Sequence, residues 1–381
     1  MVQAAEKYTF ADGVFFVHGL RTNYLMDIVS GREIKFEDRF LDSFEKIALG
    51  WDFSGFEAFV PRLLEEKVIQ PGKPKHDVAI RKKLERSDEY FFHPEQYQER
   101  DLVVREALLS AHAYRKRFLG EVGQCPVIPE TGLRRALLVG HAEDVGVKDV
   151  LCIGDDDMLS VALAVMGHRV TAYDIDPYLI DLLCTVRRDL NLDFEIVNQD
   201  LCKPLSGDLH ERFDVFLTDP MSNKACFEIF LSRAFSLLKK DGEGFVAVYP
   251  PAMDIFMNLA EEMNFEVKDW YRRFNRYYSH LLAVHNYESD WVHIKKTPKM
   301  HLRFPPEVPI PGFDLYREDY YNRSPSLSLT IEDPDELKYS KPFFLDILVD
   351  TILGECALEE KGREVYVGED YCVVHTVVDG G

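Results

Sequence analysis

The chain has 381 residues, 46% apolar and 29% charged, a composition that fits a folded globular protein and excludes collagen-like or low-complexity classes. Its net charge of −21 is unusual, because such a field repels nucleic acid and anionic membrane and draws in cations. Seven scattered cysteines, an odd number with no Cys-x-x-Cys pair, argue against zinc ribbons and disulfide frameworks. With no basic-then-apolar leader and no apolar run near the ~20 residues of a membrane span, the sequence reads as a soluble cytoplasmic protein.

In chain order, Gly13-Val-Phe-Phe-Val17 reads as a short strand. Helical patterns follow at 36–49 and 54–67, and Val68-Ile-Gln-Pro-Gly72 reads as a strand stopped by a turn. Helices followed by a strand and turn suggest a small module of the winged-helix type. Phe36 to Glu66 is rich in acids, so dimerisation or covering the main domain is expected there rather than DNA reading. The charged stretch 73–100, broken by Pro94, reads as a solvated linker or exposed helix. Helix is expected again at 102–119. A proline-rich loop (120–129) and a helix (130–139) then lead to the main domain, and the loop is placed to form one wall of a site. Arg134 and Arg135 either pair with the acids described below or lie on the surface.

From 148 to 297 strands and helices alternate, the signature of a parallel sheet covered on both faces. Strands are predicted at 150–153, 169–173, 194–198, 215–218, 244–249, 266–272 and 291–295, with helices at 158–166, 177–190, 223–239 and 252–263. The last two strands lack an intervening helix and are expected to pair antiparallel. Residues 298–341, rich in proline and tyrosine, read as an extended arm. A helix at 343–356 and strands at 365–367 and 372–378 complete the chain, and His375 reads as structural. The expected division is 1–100, an N-terminal winged-helix-like domain and linker; 101–297, the catalytic domain; and 298–381, arm and tail.

The first four strands of the main domain each end in an acid: Gly154-Asp155-Asp156-Asp157, Asp174-Ile175-Asp176, Gln199-Asp200-Leu201, and Thr218-Asp219-Pro220. One aspartate at a helix start is a cap. Three in a row repel one another unless a cation sits among them. Asp174 follows Asp155 at about the 20-residue distance at which an acid in a nucleotide-binding unit accepts ribose hydroxyls. Asp200 stands where the third strand meets an adenine. The turn has one glycine and three negative charges where dinucleotide sites carry Gly-x-Gly-x-x-Gly, so a pyrophosphate would be repelled. An adenosine that carries a cation fits better. S-adenosylmethionine is one, but placing its carboxylate about 4 Å from an aspartate costs roughly 1 to 4 kcal/mol. The decarboxylated form avoids that cost.

With Gly154-Asp-Asp-Asp157, Asp174-Ile-Asp176, Phe213-Asp-Val-Phe-Leu-Thr-Asp-Pro220, Phe230-Leu-Ser-Arg233 and Pro129-Glu-Thr-Gly-Leu-Arg-Arg135, the chain resembles the branched-chain polyamine synthases, the N4-bis(aminopropyl)spermidine synthases. The resemblance covers 124–250 well and the N-terminal module more loosely. It implies an α/β, class I methyltransferase-like (Rossmann-like), doubly wound sheet behind a winged-helix-like domain, in a homodimer. It also implies aminopropyl transfer from decarboxylated S-adenosylmethionine, a co-substrate rather than a tightly bound cofactor, to a spermidine-like polyamine, with release of methylthioadenosine. Asp155, Asp156, Asp157 and Asp219 are the expected catalytic residues. Asp156 or a neighbour, together with Asp219, would anchor and aim the amine. Gly154, Asp174, Asp176, Asp200, Leu201 and Gln124 are expected around the donor. No metal is expected, since a hard cation needs six or more oxygen ligands from several loops.

The family pattern Asp-Pro-Pro-Tyr is replaced here by Asp219-Pro220-Met221-Ser222-Asn223, which places the choice of acceptor in that segment. Two rival readings remain: a methyltransferase that uses intact S-adenosylmethionine on a small amine, and a non-catalytic polyamine-binding protein.

Overall fold

The apolar run Val150–Ile153 lies at the centre of a seven-stranded sheet because both of its faces are covered: Val150 and Cys152 enter one core, Leu151 and Ile153 the other. In the computed structural model the described residues are 8–18, 23–30, 32–36, 41–49, 60–72, 75–87, 89, 91–119, 124–205, 211–278, 284–310, 326–331, 359–367 and 372–379. The N-terminal part contains β1 (Tyr8–Phe10), β2 (Val14–His18), β3 (Asn23–Asp27), β4 (Arg32–Phe36), α1 (Leu41–Leu49), α2 (Val60–Glu65), β5 (Ile69–Pro71), α3 (Val78–Ser87), α4 (Glu99–His112) and β6 (Arg117–Leu119). The main domain follows with α5 (Pro129–Val139), α6 (Ala142–Val145), β7 (Asp149–Ile153), α7 (Leu159–Val165), β8 (Arg169–Asp174), α8 (Pro177–Asp189), β9 (Glu195–Asn198), β10 (Phe213–Thr218), α9 (Lys224–Leu237), β11 (Leu238–Val248), α10 (Met253–Met263), β12 (Glu266–Tyr278) and β13 (Val284–Lys295).

The sheet order is β12-β13-β11-β10-β7-β8-β9. β9, β8, β7, β10 and β11 run parallel, and β13 is antiparallel to both β11 and β12. This is the class I methyltransferase-like order, with the chain reversing direction across the sheet between β7 and β10, where a crevice opens at the strand ends. The expected strands and helices of 148–297 are all present, and the last two strands do pair antiparallel. α4, α5, α7 and α8 cover one face, α9 and α10 the other. Local chemistry sets the helix starts: Asp176 caps α8 ahead of Pro177, and Asn223 caps α9 through its Oδ1 and the Cys226 amide, 2.9 Å apart. Gly244 is required by packing, since a Cβ there would lie 2.3 Å from the Phe216 ring.

Several expectations are corrected. The strand expected at 13–17 is β2, but it belongs to a hairpin set whose other strands the sequence did not suggest: β2, β3 and β4 pair antiparallel and β6 adds in parallel to β2. The polar residues of Asn23-Tyr-Leu-Met-Asp27 and Arg32-Glu-Ile-Lys-Phe36 obscure their strand period. Phe36 thus belongs to a strand rather than to a helix. The helix expected over 102–119 ends at His112, and Arg117–Leu119 is strand β6. The stretch 73–100 is not simply solvated: α3 buries Ile80 and Leu84, and Asp77, fully buried, caps it through the Ala79 and Ile80 amides.

Beyond β13, residues 298–310 fold back onto α9. Arg233, fully buried, donates to the carbonyls of Leu201 (2.9 Å), Pro305 (2.7 Å) and Val308 (2.8 Å), and Ile310 enters the core. A three-stranded sheet, β14 (Ser326–Ile331), β16 (Cys372–Asp379) and β15 (Glu359–Val367) in that order, includes both predicted tail strands and one the sequence reading lacks. The predicted helix 343–356 lies outside the described residues. Among the described residues, no helix is long and apolar enough to cross a membrane.

Candidate active site

The strand β7 ends at Gly154, whose φ of +69° turns the chain so that the three aspartates line the edge of the crevice. Their side chains then part. Asp155 turns down onto the start of α7, where its Oδ1 accepts the Ser160 amide at 3.2 Å and its Oδ2 the Ser160 hydroxyl. This is the cap that accounts for one acid of the three, and burial pushes its carboxyl up to about 7. Asp157 is bound from two sides: Val127 N–H donates to Oδ1 at 2.7 Å and Arg135 Nη1 to Oδ2. Burial raises its carboxyl to about 6, against the pull of Arg135.

Asp156 differs from both neighbours. Its Oδ2 is buried and has no hydrogen-bond partner among the described residues. Burial, then the charges of Asp157, Asp219 and Asp174, hold this carboxyl well above the carboxylate range, with Arg115 opposing. A buried carboxylate oxygen without a donor is costly. An ammonium or amine N–H placed there would remove the cost.

Asp219, after β10, accepts Arg135 Nη2 at 2.6 Å and the Tyr277 hydroxyl at 2.9 Å on the same oxygen. Tyr277 in turn meets Ser289 Oγ at 2.6 Å. Arg135 is thus shared between two of the expected catalytic acids. It is fully buried, stacks over Trp291 at 4.1 Å and donates from Nε to Asn275 Oδ1 at 2.8 Å. Burial pulls the guanidinium down, but Asp157 and Asp219 outweigh it and hold it above its ordinary value.

Of the residues expected around the donor, Asp174 accepts the Asp155 amide at 3.1 Å and the Asp176 amide at 2.8 Å, and burial raises its carboxyl to about 7. Asp176 faces inward: besides capping α8 it accepts Arg117 Nη1 and Gln124 Nε2, both at 2.7 Å. Gln124 Oε1 accepts from Arg115 Nη2 at 3.0 Å. The proline-rich loop therefore forms a wall of the site, through Gln124 and Val127. Asp200 is half-buried and accepts the Cys202 amide at 2.9 Å, and the buried Leu201 holds Arg233 through its carbonyl. In the altered segment, Asn223 is the α9 cap and Ser222 Oγ accepts the Tyr249 amide at 3.0 Å.

The sequence reading did not single out Arg115, Arg117, Asn275, Tyr277 or His112. Arg115 donates to the Asp156 carbonyl at 2.9 Å, Lys116 pairs with the buried Asp77, and Arg117 joins Asp176 to Glu45 of α1. Three consecutive bases in so acidic a chain were the available signal. His112, buried under the turn against the Tyr278 hydroxyl at 2.8 Å, is held neutral by burial, its pKa lowered to about 3. Asn275 and Tyr277 lie on the part of β12 beyond 272, where the predicted strand stopped. Arg134, by contrast, lies near Glu130 at 3.8 Å, away from the acidic turn.

The family model for the branched-chain polyamine synthase A C-terminal domain matches residues 110–309, more than half of the chain. The chain belongs to this family. Among curated proteins it is similar to the N(4)-bis(aminopropyl)spermidine synthases of Methanocaldococcus jannaschii, 30% identical over 46% of this chain and 51% of that protein, and of Thermus thermophilus, 31% identical over 42% and 47%. An uncharacterised protein of M. jannaschii is 30% identical over 41% of each chain. The chain thus spans about half the length of the curated relatives it matches. Among solved structures, the branched-chain polyamine synthase of T. thermophilus aligns with a TM-score of 0.48 at 23% identity, over 55% of this chain and 67% of that one. The matched span of the polyamine synthase domain contains every residue of the acidic edge described above.

Proposed function

We propose that the chain is an aminopropyltransferase that moves aminopropyl groups from decarboxylated S-adenosylmethionine to a nitrogen of a spermidine-like polyamine and releases methylthioadenosine. The observation that carries this reading is the buried Oδ2 of Asp156 at the head of the parallel sheet, which has no hydrogen-bond partner among the described residues and is set among acids that favour a cationic ligand. Family membership and the names of the curated relatives support it.

The reaction is an in-line displacement. The lone pair of an uncharged amine nitrogen forms a C–N bond to the methylene beside the sulfonium. The C–S bond breaks and its electron pair stays on sulfur, which leaves as a neutral thioether. The new nitrogen carries the positive charge until it gives up its proton. An ordinary aspartate, near 4, is a weak base for an ammonium near 10. The raised carboxyl of Asp156 narrows that gap, and its main work is to hold and aim the nitrogen. Asp174 and Asp200 would face the adenosine, with Gly154 and Leu201 beside them, while Asp176 and Gln124 brace that wall.

In the same reading, residues 1–100 form a winged-helix-like covering domain and linker, 101–297 the catalytic domain and 298–381 the arm and tail. The enzyme works as a cytoplasmic homodimer, without nucleic acid and without a tightly bound cofactor. Calorimetry with the two donors tests the reading. Decarboxylated S-adenosylmethionine should bind at least ten-fold more tightly than the intact form, and the reverse order would instead favour a methyltransferase.

A further inference from the structure

Four carboxylates, Asp155, Asp156, Asp157 and Asp219, lie at the ends of β7 and β10, but they are not equally open. Asp155 is occupied by Ser160. Both oxygens of Asp157 are occupied, by Val127 N–H and Arg135, and Asp219 Oδ2 takes both Arg135 Nη2 and the Tyr277 hydroxyl. The guanidinium that joins this set is itself fixed: it is fully buried, lies over the Trp291 ring and is held through Nε by Asn275. Asn275 in turn donates to Ser289 Oγ at 2.8 Å, the same hydroxyl that meets Tyr277.

We propose that Arg135 is a positioning residue that keeps Asp157 and Asp219 ion-paired, so that Asp156, which makes no ion pair among the described residues, receives the acceptor and the acceptor sits in one register. The inference rests on the aminopropyltransferase reading given above. A polyamine carries several cationic nitrogens a few bonds apart. A cluster of open carboxylates would hold such a chain in several slipped positions of similar energy, each presenting a different nitrogen to the donor methylene. Arg135 removes that degeneracy by supplying two of the carboxylates with a fixed protein cation. A fork that reaches two acids at once needs a guanidinium, since an ammonium is a point charge and cannot span both in one plane. Arg135 therefore acts through Asp157 and Asp219 and need not touch the substrate.

The test compares the wild-type chain with Arg135→Met, Arg135→Lys and Tyr277→Phe, using decarboxylated S-adenosylmethionine and spermidine, with products resolved into positional isomers by fragmentation mass spectrometry. Circular dichroism establishes which variants are folded. In Arg135→Met and Arg135→Lys, kcat should fall at least ten-fold while KM for spermidine stays level or falls, because both carboxylates in the first variant, and at least one in the second, are now open to cations. The product should change from one positional isomer to a mixture. Tyr277→Phe, which keeps both ion pairs, should shift the isomer ratio in the same direction by a smaller amount. A merely structural role would reduce the amount of active protein and leave KM and the isomer ratio as they are. That result in a folded Arg135 variant overturns the proposal. If neither Arg135 variant folds, an unchanged isomer ratio and kcat in Tyr277→Phe overturns it. Failure of the underlying reading is distinguishable, because it appears in the wild-type arm as the absence of any aminopropylated product.

Discussion

Asp156 and Asp157 are adjacent in the chain and opposite in their bonding: Asp157 is held on both oxygens by Val127 and Arg135, while Asp156 has a buried oxygen with no hydrogen-bond partner among the described residues. The difference follows from the turn after Gly154, which leaves Asp156 at the crevice and points Asp157 into the protein. Substitution should separate the two roles. Asp157→Asn removes a charge from a buried ion pair and should cost about 3 kcal/mol of stability. Asp156→Asn replaces a buried carboxyl that is costly to ionise and whose Oδ2 has no hydrogen-bond partner among the described residues, so stability should stay level or rise by about 1 kcal/mol. Urea denaturation of the two variants checks this, and equal losses would show that both acids are structural.

Asp155 gives a pH dependence whose sign can be fixed. Its folded carboxyl is raised to about 7 by burial, above the ordinary value of 3.8. The unfolded chain therefore releases this proton first as pH rises. The stabilisation that the protonated group provides below about pH 4 is lost between about pH 4 and 7. In Asp155→Asn that loss is absent. The stability of the wild-type chain relative to this variant should fall as pH rises through this window, measured by denaturation at either end. His112, lowered to about 3 by burial, tilts stability in the opposite sense at acid pH, but it is common to both proteins and cancels in the difference.

Arg233 fastens 305–308 to the end of β9 through three carbonyls. Arg233→Met should cost about 3 kcal/mol, since each hydrogen bond from a charged donor is worth roughly 1.5 to 3 kcal/mol and the losses overlap. Hydrogen exchange should show the loss of protection at Ile310, whose amide donates to the Cys202 carbonyl, and at Leu205, whose amide donates to that of Pro306. Exchange unchanged at both amides would show that the segment is held by apolar contact instead.

Lys116 and Asp77 are 1% and 0% exposed and tie β6 to the start of α3. Lys116→Met leaves Asp77 buried with the Gly13, Ala79 and Ile80 amides but no cation. About 3 to 5 kcal/mol should be lost. The double variant Lys116→Met with Asp77→Asn should recover part of it, and no recovery would show that the two side chains are not coupled.

The parts of the molecule that could be read from the sequence are those fixed locally. The run Val150–Ile153 with its glycine, the aspartates at the next three strand ends, and Pro177 after Asp176 each state a strand end or helix start within a few residues, and the sheet followed from them. What could not be read depends on partners far apart in the chain. Arg135 meets Asp219 across 84 residues, and Tyr277 meets the same oxygen across 58. No periodicity reports such a pairing, so Arg135 stood equally well as a surface residue. Asp176 illustrates the same limit. It is expected around the donor, yet Arg117 and Gln124 occupy it, and Arg117 lies in a stretch that reads as helix. The hairpins of 14–36 were hidden because their polar residues break the alternation on which strand assignment rests.

The most direct test of the central claim is the reaction itself, run with the wild-type chain and Asp156→Asn on decarboxylated S-adenosylmethionine and a panel of amines that includes spermidine, and read by mass. We expect the wild type to add one or two aminopropyl units and release methylthioadenosine, and Asp156→Asn to be slowed by at least about 100-fold while still binding the donor. A wild-type chain that transfers no aminopropyl group to any amine in the panel, or an Asp156→Asn chain that turns over at the wild-type rate, would contradict the assignment.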